Sequence, residues 1–113
     1  MWVRGREFSK QTILVLAALC SRPRTWRHGY DLARETGLKS GTLYPILIRL
    51  ADRGLLESCW EDEQPVGRPR RHRYRLTSVG LVRGREVLIQ APALARAATK
   101  RRRTVGRIVP REA

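Results

Sequence analysis

The residues with the clearest chemistry are arginines crowded into a short stretch after Gly67. Five of the eight positions from 68 to 75 are arginine, namely Arg68, Arg70, Arg71, Arg73 and Arg75. A guanidinium presents a planar fork of donors that matches phosphate and the edge of guanine. Such a run is often only a solvated loop, but Gly67 and Pro69 would make this one narrow and rigid, as contact with phosphate or the minor groove requires. The first three arginines are therefore candidate contacts for a polyanion, whereas the last two alternate along a strand-like segment and are expected to matter less.

A second block with binding chemistry runs from Lys39 to Pro45. Proline lacks an amide hydrogen and is tolerated near the first turn of a helix, so a helix is predicted to begin between Ser40 and Thr42. Its first turn would present hydroxyls, free backbone amides and the positive end of the helix dipole. The alternative is that Tyr44 packs internally and the proline only shapes the helix. The candidate binding residues of this helix are Lys39, Ser40, Gly41, Thr42, Tyr44, Pro45 and Arg49.

The sequence carries no recognisable catalytic or metal-binding pattern. Cys20 and Cys59 are far apart and have no CxxC spacing, which predicts reduced thiols rather than a zinc site or a disulfide. His28 and His72 are also far apart, and no nucleophile elbow, GxxxxGK[ST] loop or HExxH motif is present. We therefore expect neither an enzyme nor a bound cofactor or metal.

Length and charge limit the possible partners. The 113 residues carry 24 Lys and Arg against 10 Asp and Glu, a formal net charge of +14. This size suits one domain with a modest core, and this charge favours nucleic acid over an anionic membrane surface. Arginine predominates among the cations, which suits phosphate and guanine contacts but could also reflect the base composition of the gene. The apolar run from Ile13 to Cys20 is too short to span a bilayer, so a cytoplasmic chain with no membrane partner is expected.

The pattern along the chain predicts three helices followed by a hairpin. Residues 9–21 form the first helix with Ser9 as its cap, and Gly29–Thr36 form a short second helix that ends at a left-handed Gly37. The third helix ends at Gly54 and has one apolar stripe at i, i+3, i+4 and i+7, formed by Leu43, Ile46, Leu47 and Leu50.

Two segments that alternate like strands follow the third helix. Residues 57–61 and His72–Leu76 flank a turn rich in Asp, Pro and Gly, which predicts a β-hairpin. The order of helix, helix and hairpin indicates a mainly α chain with a small β-hairpin, a winged helix-turn-helix. In helix-turn-helix proteins the start of the recognition helix meets base edges in the major groove of DNA.

A fourth helix is predicted over residues 78–99, and its small and apolar residues recur at steps of three and four. This seam is typical of a coiled coil, although Pro92 should kink or break the helix. The alternatives are a dimer interface and packing on its own domain, with Leu81, Leu88, Ala91 and Ala95 as the candidate dimerisation residues. Residues 100–113 are basic and are predicted to be disordered in isolation; they could fold onto DNA phosphates or remain solvated.

The motifs of this chain resemble those of the PadR family of transcriptional regulators. The motifs are His28-Gly29-Tyr30-Asp31-Leu32, Ser40-Gly41-Thr42-Leu43-Tyr44-Pro45, Arg53-Gly54-Leu55-Leu56, Gly67-Arg68-Pro69-Arg70-Arg71 and Tyr74-Arg75-Leu76-Thr77. The resemblance implies a winged-helix DNA-binding domain over residues 1–77 and a C-terminal dimerising helix. It also implies repression of a nearby operon that a small molecule relieves. The fourth helix lacks the aromatic residues that line effector cavities in some relatives, which argues against a flat multidrug pocket.

The sequence thus predicts a dimeric, sequence-specific regulator that binds an inverted-repeat operator in double-stranded DNA, with a small-molecule effector as a further partner. The resemblance makes the block from Ser40 to Pro45 the groove-facing segment and residues 68–71 the tip of the wing. Two other classes stay open, a DNA- or RNA-binding architectural protein without base preference and a winged helix that contacts an acidic protein. A regulator should prefer its operator over bulk DNA by roughly 1,000-fold or more, and an architectural protein should not.

Overall fold

A computed structural model gives the fold of the chain. It describes residues 7–61, 67 and 71–108, and for 102–108 the backbone alone. The elements in order are α1 (Lys10–Ser21), β1 (Arg27–His28), α2 (Gly29–Thr36), α3 (Ser40–Asp52), β2 (Leu56–Trp60), β3 (His72–Leu76), α4 (Ser78–Gln90) and α5 (Pro92–Ile108). The predicted fold class, mainly helical with a small antiparallel sheet and the order of a winged helix-turn-helix, is confirmed.

Side-chain and glycine caps set the ends of the helices. The Ser9 hydroxyl accepts a hydrogen bond from the Thr12 amide at 3.1 Å at the start of α1, and the Thr77 hydroxyl accepts from the Gly80 amide at 2.9 Å at the start of α4. Gly37 has φ 77° and donates its amide to the carbonyl of Ala33 at 2.8 Å, as a left-handed helix end requires. The predicted bounds of α1 and α2 are therefore confirmed.

The core lies where α1, α2, α3 and the sheet meet. The four stripe residues of α3 are each at most 2% exposed, as their spacing predicts. They belong to one buried cluster with side chains from the other elements, among them Val15, Leu16, Leu19, Leu32, Leu56, Tyr74 and Leu76. This packing fixes α3 against the rest of the domain, so its opposite face is left outside.

The sheet has three strands in the order β1-β3-β2, all antiparallel. The sequence predicts β2 and β3 but not β1, whose Arg27 pairs with Tyr74. Arg27 is 3% exposed and donates to the Ala18 carbonyl at 2.9 Å, while its other nitrogen pairs with Glu35. A buried, fully engaged arginine thus ties the sheet to α1 and α2, and it is not available to a ligand.

The C-terminal helices agree with the prediction in one respect and depart from it in another. The segment over 78–99 is divided at Pro92, as the proline predicts, since α4 ends at Gln90 and α5 begins at Pro92. Part of the predicted outward seam faces the domain itself: Leu81 packs on the core, and a Cβ on Gly84 would lie 2.9 Å from the Cys20 sulfur of α1. Small side chains allow close approach to any neighbour, and here the neighbour of Gly84 is α1 of the same chain.

Residues 100–108, which the sequence predicts to be disordered in isolation, are helical in the folded chain. Residues 100–108 continue α5, which packs on α1 and α2, and Ala98 on its inner side is 6% exposed. Tertiary packing of one apolar stripe outweighs the weak helix signal of a basic segment. Residues 109–113 lie outside the described residues.

Candidate nucleic-acid interface

The N-terminus of α3 is open to the outside of the protein. Lys39 is the N-cap residue and makes no side-chain cap hydrogen bond, while its carbonyl accepts the amides of Thr42 and Leu43, both at 2.9 Å. Lys39, Ser40, Gly41 and Thr42 are all exposed. The first turn therefore presents two hydroxyls and the positive end of the helix dipole to any partner that approaches α3 end-on.

Pro45 does not lie in the first turn, where the sequence places it. It is the sixth residue of α3, which begins at Ser40. A proline at this position has no amide hydrogen to donate to the carbonyl of Gly41 four residues earlier. The helix still forms, because the apolar stripe on its other side is buried, and the exposed ring of Pro45 stays on the outer face together with exposed Arg49.

Gly41 differs from the other glycines near the site. A Cβ on Gly41 would meet nothing within 4 Å, whereas a Cβ on Gly29 would overlap the Tyr44 hydroxyl and one on Gly80 would overlap the Leu55 carbonyl. Gly41 also lacks the positive φ that Gly37 and Gly54 adopt. Nothing in the described part of the chain therefore requires glycine at position 41, although glycine in a helix costs about 0.5 to 1 kcal/mol relative to alanine.

Tyr44 is partly exposed and partly packed. Its side chain is 39% exposed, and its hydroxyl end lies over Gly29 at the start of α2. Tyr44 also lines the same cleft as Tyr74. Burial first, and the nearby Tyr44 second, raise the pKa of the Tyr74 hydroxyl. The ring thus supports the contact between α2 and α3, and one edge faces outward, where its role in binding stays a prediction.

The base of the hairpin holds Arg71 in place. The Glu61 amide donates to the Arg71 carbonyl at 2.9 Å, and the Arg71 amide donates to the Glu61 carboxylate at 3.3 Å. The other carboxylate oxygen of Glu61 lies 2.9 Å from Nε2 of His28. The backbone of Arg71 is thus fixed, through Glu61, to His28 at the start of α2, and the Arg71 side chain is exposed. The other two predicted wing arginines, Arg68 and Arg70, lie outside the described residues.

Arg73 and Arg75 are engaged on the other face of the sheet. Arg75 Nε donates to the Glu57 carboxylate at 3.1 Å, and its guanidinium lies 4.1 Å from the centre of the Trp26 ring. The Arg73 guanidinium lies 5.6 Å from the same ring. Both side chains have partners within the protein, and they point away from the face that carries Tyr74.

A cleft of about 560 Å³ separates α3 from the hairpin. Its lining is mostly apolar and aromatic and includes Tyr44 and Ile48 from α3 and His72 and Arg71 from the hairpin. Trp60, which is 51% exposed, stacks on His72 with the ring centres 3.8 Å apart. The outer face of α3 and the start of the wing therefore border the same cleft.

The site residues predicted from the sequence leave out three exposed apolar residues of this region, Tyr30, Ile48 and Trp60. They are between 51% and 67% exposed. The signal for Ile48 is present in the sequence, since the period of α3 places it opposite the buried stripe. The aliphatic side chain of Ile48 has no hydrogen-bonding group, so its chemistry alone does not mark it as a binding residue.

Within the described residues, no group of three or more His, Cys, Asp or Glu side chains could hold a metal ion. None of the described helices is both long and apolar enough to cross a bilayer.

The fold and the sequence both match known regulators. A model of the transcriptional regulator PadR-like family matches residues 15–86. Comparison with curated proteins gives no match.

Solved structures of similar fold include a PadR family transcription regulator from Clostridium difficile R20291, with 26% identity, a TM-score of 0.58 and coverage of 79% of this chain and 97% of that one. A PadR-like transcription factor from Bacteroides fragilis has 22% identity, a TM-score of 0.60 and coverage of 80% and 91%. The PcaV transcriptional regulator from Streptomyces coelicolor, in complex with its natural ligand, has 24% identity and a TM-score of 0.65, with 81% of this chain covered. This chain spans 61% of the PcaV chain. With the helix-turn-helix, the hairpin and a family match over most of its length, the chain belongs to the PadR-like family of DNA-binding transcriptional regulators.

Proposed function

We propose that this protein is a dimeric repressor that binds one inverted-repeat operator in double-stranded DNA and leaves it when a small molecule binds. The observation that carries the proposal is the exposed first turn of α3, which has a glycine that no internal contact explains. A glycine on an exposed helix surface permits close approach of another molecule's backbone. The recognition helix of a helix-turn-helix meets the DNA bases with its N-terminal residues.

In this proposal α3 and the wing have different tasks. The Ser40 and Thr42 hydroxyls, with the free amides of the first turn, meet base edges and the nearest phosphates. Tyr44, Pro45 and Arg49 extend this surface along the outer face of α3. Arg68, Arg70 and Arg71 hold phosphates or enter the minor groove, which anchors the protein without reading sequence.

The wing arginines can be tested by salt dependence. The triple variant Arg68→Ala, Arg70→Ala and Arg71→Ala should bind operator and random duplex more weakly by similar factors. Its slope of log affinity against log salt should be shallower by roughly 2 to 3 per protomer, since each neutralised phosphate contributes about −0.9. Fluorescence anisotropy titrations at several salt concentrations give this slope. A triple variant with the wild-type slope would show that the loop is a solvated hairpin.

The dimer, in this proposal, uses an outward stripe of α4 rather than the seam predicted from sequence. Of the predicted residues, Leu81 packs on its own core, and Leu88, Ala91 and Ala95 are half-buried in their own protomer. By contrast, three apolar residues at helical spacing are strongly exposed: Val79 at 64%, Val82 at 60% and Ile89 at 78%. A stripe of this kind is typical of a helix that packs against a partner.

The double variant Val82→Glu and Ile89→Glu should be a folded monomer, because two charges would be buried in the proposed interface. Analytical ultracentrifugation measures the mass, and circular dichroism measures the helix content. Arg24→Glu, an exposed change of the same charge in the loop between α1 and β1, is the control and should remain a dimer. A double variant that sediments as wild type would place the dimer interface elsewhere. Loss of the dimer should weaken operator binding strongly, since two half-sites about 34 Å apart can then no longer be held together.

An effector that releases the protein from its operator could bind in the cleft between α3 and the hairpin. Its volume of about 560 Å³ is within the range of ligand pockets, about 300 to 1,000 Å³. A small molecule bound there would lie between α3 and the hairpin, the two elements that we propose contact DNA. Its binding would therefore compete with the binding of DNA. An occupied cleft would thus lower operator affinity by competition for the same face.

The net charge of +14 favours a second candidate function, an architectural protein that binds nucleic acid without base preference. Charge alone supports sequence-independent binding. The two functions differ in the ratio of specific to non-specific affinity.

A further inference from the structure

The α5 helix is basic along its second half. Of its 17 residues none is acidic, and Arg96, Lys100, Arg101, Arg102, Arg103 and Arg107 carry positive charge. The like charges at successive turns repel each other in isolation. A helix of this composition gains most from a partner that supplies negative charge.

The position of α5 brings its basic part to the helix-turn-helix. The helix packs on α1 and α2, with Ala98 buried at 6% exposure. Arg101 follows one turn later on the same side of α5, and a Cβ on Gly37 would lie only 2.5 Å from its Nη2. The Arg101 guanidinium therefore rests on the turn between α2 and α3, two residues before the N-cap of α3 at Lys39.

We propose that the basic end of α5, centred on Lys100 and Arg101, is a second DNA-contacting surface that holds phosphates beside the bases met by α3. The proposal rests on the proposed function of DNA binding. In a helix-turn-helix the first helix crosses the DNA backbone and the start of the second enters the groove, so the turn between them lies close to phosphates. The turn itself supplies Lys39, and α5 adds Arg101, whose guanidinium lies against Gly37 of the same turn. Lys100 is exposed beside Arg101.

A purely structural role for Arg101 is the competing explanation. A guanidinium at the C-terminal end of α2 is favoured by the helix dipole and would anchor α5 without any contact to DNA. The two roles differ in salt dependence, because only a phosphate contact releases counterions from DNA.

The test compares two double variants of the full chain, each of which lacks two exposed cations. The probe is a mixed-sequence duplex, since phosphate contacts do not depend on the operator. Lys100→Gln with Arg101→Gln removes the proposed contacts. Arg22→Gln with Arg24→Gln removes equal charge from the loop between α1 and β1. The first variant should have a slope of log affinity against log salt shallower by about 2 per protomer than the wild type, because about 0.9 is lost per phosphate. The second should change the slope much less.

Further variants separate a contact from a loss of structure. Lys100→Gln alone leaves Arg101 on Gly37 and should reduce the slope by about 0.9 per protomer. Arg101→Lys keeps the charge and should retain most of the wild-type slope. If the two double variants have equal slopes and the wild-type chain still binds the duplex, only the proposed role of α5 is overturned. A wild-type chain that does not bind the duplex at any salt concentration would overturn the proposed function as well.

Discussion

Gly41→Ala should make the protein more stable and its binding to operator DNA weaker. Alanine is the better helix former, and a Cβ at this position would meet nothing within 4 Å in the protein. The free energy of unfolding should therefore rise by about 0.4 to 1 kcal/mol. The same methyl group would occupy the surface that we assign to the major groove, and loss of one good base contact costs about 1 to 3 kcal/mol. Operator affinity should fall by roughly tenfold or more.

Equilibrium urea unfolding and operator titration measure the two effects on the same preparation. Gly29→Ala is the contrasting variant, because a Cβ there would overlap Tyr44 and should cost about 1 to 3 kcal/mol of stability through overpacking. Wild-type operator affinity in Gly41→Ala would show that DNA does not approach the first turn of α3. Reduced stability in that variant would show an internal contact at position 41.

Leu47→Ala should destabilise the fold more than any substitution on the outer face of α3. Leu47 is 1% exposed, in the middle of the stripe that packs on α1 and the sheet. Truncation of a buried leucine leaves a cavity and costs roughly 2 to 5 kcal/mol. The adjacent residue, Ile48, is 61% exposed, so Ile48→Ala should change stability by about 0.5 kcal/mol or less.

Chemical denaturation of both variants measures the difference, and an unchanged m-value would show that the unfolded state is comparable. Similar losses in the two variants would mean that the inner and outer faces of α3 are assigned wrongly. Tyr44→Ala should fall between them, because the ring covers Gly29 on one side and is 39% exposed on the other.

Local signals account for the parts of the fold that the sequence predicts. Ser9 as a cap, Gly37 as a left-handed helix end and the four apolar residues of α3 each act within a few positions along the chain, so α1, α2 and α3 could be placed. Strand β1 could not, since its two residues gain their pairing only from β3, more than forty positions later. Pairing between distant segments leaves no period in a two-residue strand.

The C-terminal helices show where a periodic pattern is ambiguous. A seam of small residues allows close packing but does not say against what, and Gly84 packs on Cys20 of its own α1. The basic segment after residue 100 was expected to be disordered because of its charge, yet α5 continues to Ile108 on a surface that the other helices provide. In both cases the structure of the segment depends on the surface that it packs against, and that surface forms only in the folded chain.

The candidate site was partly predictable for the same reason. The open first turn of α3 follows from local caps and from the position of the buried stripe. The cleft beside it does not, because Tyr30, Ile48 and His72 come from separate elements that meet only in the fold.

The proposed function requires that this chain recognises a DNA sequence and is not held on DNA by charge alone. Selection of bound duplexes from a random pool tests this requirement, followed by a comparison of the affinity for the selected duplex with that for bulk DNA at one salt concentration. We expect the selected duplex to contain an inverted repeat and to be preferred by roughly 1,000-fold or more. Equal affinity for selected and bulk duplexes would show that the chain is an architectural DNA-binding protein instead.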